Sequence, residues 1–103
     1  MAYVIRVESE RGEVRSPEVS DQEFALNLLL PRLSDHSFAC LRFIDPYGQT
    51  VFNRMQIATF LEEVGRIRQT EQSPEALRLL DSIDLLAIQV RDGVHLYLKF
   101  YGD

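Results

Sequence analysis

The stretch Val94–Tyr101, VHLYLKFY, leaves the chain little freedom in how it folds. Val94, Leu96, Leu98 and Phe100 alternate without interruption with His95, Tyr97, Lys99 and Tyr101. Successive side chains of a strand point to opposite faces, so the pattern predicts a strand with an apolar face and a polar, aromatic face turned away from it. Such a strand needs neighbours to pair with and a second layer to cover its apolar side.

The remaining sequence supplies both. Within Ala2–Ser9, Tyr3, Ile5 and Val7 oppose Arg6 and Glu8, which predicts a half-buried strand. Gly12 marks a turn, Val14 and Arg15 fit a short returning strand, and SPEVS, residues 16–20, reads as loop. Ser20 and Glu23 have the spacing of a capping box at the start of a short helix, Asp21–Leu30, which Pro31 stops. Ser37–Ile44, SFACLRFI, is apolar on both faces except at Arg42, the pattern of a central strand covered on both sides.

Asp45-Pro46-Tyr47-Gly48 has the chemistry of a type I turn, with Gly48 expected at positive φ so that Gln49–Phe52 returns as the next strand. Asn53 and Gln56 are spaced to cap a helix from Arg54 to about Gln69. Its buried stripe is Ile57, Phe60, Leu61, Val64 and Ile67, and Glu62, Glu63, Arg66 and Arg68 are expected to face water. Ser73 and Pro74 start a third helix ending at Gly93, apolar along Leu77, Leu80, Ile83, Leu86, Ala87 and Val90. The predicted order is β-β-α-β-β-α-α-β. It describes one α+β domain over residues 1–103, with three helices and a mostly antiparallel sheet of four to five strands.

Charge and composition narrow the function classes. The net charge is −5, and the ten arginines and single lysine are scattered, so the basic footprint of a nucleic-acid binder is missing. No apolar run approaches the ~20 residues of a membrane span, and the N-terminus does not read as a secretory signal. Cys40 is the only cysteine, which excludes an internal disulfide and fits a reducing, cytoplasmic setting. Cys40, His36 and His95 would be the parts of a thiol nucleophile, but Cys40 lies in an apolar stretch where a thiol stays neutral. Nothing has zinc spacing, and no phosphate loop or other cofactor motif is present. Asp81 and Asp84, three apart on one helix, form a carboxylate pair able to serve acid–base chemistry, a cation or a partner. The polar row His95, Tyr97, Lys99 and Tyr101, with Tyr47 at the turn, has the residue types favoured at protein interfaces.

RFIDPYGQTVFNRMQI together with HLYLKFYGD resembles a small family of uncharacterised bacterial proteins that share the D-P-Y-G turn, the T-V-F-N strand and a terminal strand rich in Leu, Tyr and Phe. In size and acidity the chain is also similar to immunity proteins of bacterial toxin systems. That resemblance implies a cytoplasmic, non-enzymatic inhibitor that occludes a basic toxin domain and uses neither metal nor cofactor. A small enzyme or ligand-binding domain with a pocket beside the sheet, and a homo-oligomeric accessory subunit such as a homodimer, are the alternatives.

Overall fold

The computed structural model describes residues 3–21, 25–71 and 73–102. Strands β1 (Val4–Ser9), β2 (Val19–Ser20), β3 (Gln49–Phe52) and β4 (Leu96–Tyr101) alternate with helices α1 (Leu26–Leu29), α2 (Ile57–Thr70) and α3 (Pro74–Asp92) in the order β-β-α-β-α-α-β. All strand pairs are antiparallel, in the spatial order β2-β1-β4-β3, so the first and last long strands form the centre of the sheet. This is the α+β class expected from the alternation and turn chemistry.

Ile5, Val7, Phe52, Leu98 and Phe100 project from one face of the sheet and are buried there against the stripes of α2 and α3. Phe52, Phe60 and Phe100 tie β3, α2 and β4 together, with ring centroids 5.2–5.9 Å apart in tilted and edge-on geometry. Both long helices begin where their local signals place them. Asn53 N–H donates to Gln56 Oε1 at 2.8 Å and Asn53 Oδ1 accepts from Met55 N–H at 2.9 Å, opening a 3-10 turn that runs into α2. Ser73 Oγ accepts from Ala76 N–H, with Pro74 at the first turn of α3.

The expected strand Ser37–Ile44 does not form. The segment is a loop that closes in a 3-10 turn at Leu41–Phe43. The cause is Glu63, expected in water but 1% exposed. Its carboxylate accepts the N–H groups of Ala39 (2.6 Å), Cys40 (3.1 Å) and Leu41 (2.9 Å). Arg66, one turn further along α2, stacks on Phe38 at 4.3 Å and donates to Ser37 O at 2.8 Å. Backbone N–H groups taken by a buried carboxylate are not available to a sheet ladder. Glu63 in fact completes the i, i+3, i+4, i+7 stripe with Phe60, Val64 and Ile67, a position that helical spacing turns inward.

Other expectations are also corrected. Val14 makes only an isolated bridge to Glu8, and the second strand is instead Val19–Ser20, within the segment expected to be loop. Of the Ser20–Glu23 capping box, Glu23 lies outside the described residues. The start of α1 is held by Asp21, which is buried and accepts from Ala25 N–H (2.9 Å) and Leu26 N–H (2.8 Å). Gly48 is not at positive φ; Gly12 is the glycine that is. A Cβ at Gly48 would stand 2.8 Å from Asp45 Oδ2, so this position is small because the Asp45 side chain folds over its own turn, accepting from Tyr47 N–H at 2.9 Å. Val94 is exposed rather than inward, and β4 begins only at Leu96, because His95 adopts φ 54° and breaks the alternation.

Candidate functional site

The helices cover one face of the sheet, and the other face carries the polar row. Directly paired residues of antiparallel strands share a face, so the pairings place its side chains in three cross-strand rows. One row is Gln49, Tyr101, Val4 and Ser20. The next is Val51, Lys99 and Arg6, extended by the ion pair from Arg6 to Glu18. The third is Tyr97, Glu8 and Val14.

The hub of this face is Glu8, a carboxylate the alternation expects in water and the structure buries. Its Oε2 accepts from Arg6 Nε at 2.6 Å and from the Tyr101 hydroxyl, and its Oε1 lies 3.0 Å from Lys99 Nζ. Arg6 also donates to Glu18 at 3.0 Å and lies 4.7 Å over the Tyr101 ring centroid. Burial pushes the Glu8 carboxyl up, but the hydrogen bonds from Tyr101, Arg6 and Lys99 outweigh it and hold it down at about 2. Tyr101 is pushed up, by burial first and then by its bond to Glu8, so it stays a phenol and a donor. A carboxylate held this low is a poor proton acceptor near neutral pH, so the cluster fixes side-chain positions rather than moving protons. Arg6 and Lys99 balance Glu8 and Glu18, which leaves this network formally neutral and the chain's net negative charge elsewhere.

A pH titration tests this clamp. The folded pKa of Glu8 lies below its unfolded value, so its contribution is complete above about pH 4.5 and is lost as pH falls toward about 2. The shift corresponds to at most about 3 kcal/mol, and partial exposure of Arg6 and Lys99 reduces this to about 2. The stability advantage of wild type over Glu8→Gln, measured by urea unfolding, is therefore expected to shrink by about 2 kcal/mol between pH 5 and pH 2. An advantage that stays constant over that range contradicts an ionised, clamped Glu8.

The site residues expected from the sequence fall in four places. Tyr97, Lys99 and Tyr101 share the open face, as alternation requires. His95 leaves the row but stays beside Tyr97, where the sheet runs out into a shallow cleft of about 330 Å³ lined by Asn53, Arg54, Met55, Val94, His95 and Tyr97. Met55, 91% exposed, is its most prominent apolar group. Tyr47 stands exposed on the Asp45–Gly48 turn. Asp81 and Asp84 belong to neither surface: Arg68 of α2 bridges them, 3.0 Å from Asp81 Oδ1 and 2.6 Å from Asp84 Oδ2. One guanidinium thus ties both carboxylates to α2, and Asp81 stays 71% exposed. The sequence signals did not single out Arg6, Glu8, Glu18, Met55 and Val94 as parts of this surface, because they join it only through strand order.

No family model, curated protein or solved structure matches the chain.

Cys40 is buried, with Sγ 3.8 Å from Gln56 O, and its thiol is pushed up by burial and then by the Glu63 charge. Such a thiol is a weak nucleophile. Among the described residues no cluster of three His, Cys, Asp or Glu is placed to hold a metal ion, and no helix is long and apolar enough to cross a membrane.

Proposed function

We propose that this chain is a protein-binding domain that acts by occlusion, as an immunity-like inhibitor laid over the active site of a basic toxin domain. The observation that supports this is the helix-free sheet face, on which Tyr97 and Tyr101 stand beside a network that holds its own side chains in place. Side chains ordered before contact lose less entropy on binding, and tyrosine is favoured at hot spots. The net charge of −5 favours encounter with a basic surface.

Size sets a further condition. Strands ~4.8 Å apart with a rise of ~3.3 Å per residue make the open face roughly 300 Å², well below the ~800 Å² that each partner contributes to a stable interface. A partner must therefore also reach the Met55–Val94–His95 cleft beside Tyr97. The resemblance to immunity proteins and to the D-P-Y-G family belongs to the same proposal, as does a cytoplasmic setting.

Tyr97 is the residue to test, because Tyr101 also supports Glu8 and its loss would act on folding. The chain is titrated calorimetrically against the product of the adjacent reading frame. Tyr97→Ala is expected to weaken that complex at least about tenfold, equivalent to 1.4 kcal/mol, with an unchanged melt. No binding by wild type, or equal affinity of the variant, rejects the proposal.

A further inference from the structure

Most cations of this chain are spent on its own acids, as with Arg6, Arg66, Arg68 and Lys99. Arg32 and Arg42 are not. Neither has an acidic side chain within ion-pair distance among the described residues, and both line one groove of about 540 Å³ between α1 and the 42–46 segment. Its lining shares no residue with the open sheet face. Buried Tyr3 and Ile44 form its floor, while Leu33, 62% exposed, and Phe43, 51% exposed, form its rim.

Arg42 is already positioned: its Nη1 donates to Leu33 O at 2.6 Å and its guanidinium lies 4.1 Å from the Phe43 ring centroid. A guanidinium carries five N–H donors in a planar fork, so donors remain for an incoming carboxylate. Asp45, the acid on the lining, is turned into its own turn, accepting from Tyr47 N–H at 2.9 Å.

We infer that this groove binds an extended acidic peptide segment of a partner protein, with an apolar side chain seated between Leu33 and Phe43 and flanking carboxylates on Arg32 and Arg42. Charge complementarity carries the choice of occupant: two uncompensated arginines at an apolar groove match carboxylates beside an apolar anchor. The overall negative charge opposes long-range approach of an acidic peptide, but the contacts with Arg32 and Arg42 act within the screening length of about 8 Å at physiological salt. The groove is an open depression rather than an enclosed cavity, whereas small ligands are normally enclosed over roughly 70–90% of their surface, which favours a peptide.

The test is fluorescence anisotropy with a dye-labelled peptide, Glu-Glu-Leu-Phe-Glu-Glu, and its counterpart with every Glu replaced by Gln. Saturable binding of the acidic peptide is expected, at least about tenfold tighter than the Gln peptide and at least about tenfold weaker for Arg32→Gln/Arg42→Gln. Leu33→Glu, at an exposed position, gives the same loss and serves if the double variant fails to fold. The inference is overturned by the absence of saturable binding up to about 1 mM, by equal affinity for both peptides, or by indifference to the substitutions. Two other occupants overturn it as well: binding of decanoate without the peptide, or concentration-dependent self-association in sedimentation that Leu33→Glu abolishes.

Discussion

Glu63→Ala is expected to lower the unfolding free energy by about 4 kcal/mol. The carboxylate accepts from three consecutive backbone N–H groups, and those of Cys40 and Leu41 belong to buried residues. A buried donor left without an acceptor costs about 1–3 kcal/mol, and truncation also leaves a cavity under the loop. Against a total stability of about 5–15 kcal/mol for a domain, that is a large share, worth a fall in Tm of about 15–30 °C. Glu63→Gln keeps the volume but turns an amide NH2 toward N–H donors, so roughly half the loss is expected. Denaturant unfolding gives the energies. A second readout is the Cys40 thiol, buried in the native state, which is expected to react with a thiol reagent once residues 39–41 are released. A cost below about 1 kcal/mol for Glu63→Ala, with Cys40 still inert, would show that the loop is held by something other than this carboxylate.

Gly102→Val is expected to cost about 3 kcal/mol, at the upper end for overpacking. A Cβ on Gly102 would stand 2.8 Å from Asp45 O and closer still to the carbonyl carbon and oxygen of Pro46. These are main-chain atoms, which cannot swing aside as a flexible side chain can. Gly102 N–H also donates to Gly48 O at 2.8 Å, so the residue after β4 is locked against the Asp45–Gly48 turn. Relief requires the end of β4 to lift away from that turn. A thermal melt is expected to fall by about 10–20 °C, and the amide at position 102 to lose its protection from hydrogen exchange. A melt and exchange pattern equal to wild type would mean that the turn and Gly102 are not in contact.

These substitutions mark the boundary between local and tertiary information. The starts of α2 and α3, the strand over most of VHLYLKFY and the Asp45–Gly48 turn were legible in the sequence. Each is specified within a few residues: Asn53 meets Gln56 three positions on, Ser73 meets Ala76, and alternation along β4 needs no partner. Alternation likewise placed Tyr97, Lys99 and Tyr101 on one face before any neighbour was known. Only the tertiary structure decided what lies across from them. The pairing of β1 with β4 joins Glu8 to Tyr101, 93 residues apart, and turns an ordinary exposed glutamate into a buried hub. Helix α2 brings Glu63 to residues 22–24 positions earlier and converts an apolar, strand-like run into a loop. Arg68 reaches across from α2 and ties Asp81 and Asp84 to the α2–α3 seam, apart from the sheet face. In each case a charged side chain is satisfied by a distant part of the chain. The free energy of such a contact depends on strand order and helix placement, which spacing along the sequence does not encode.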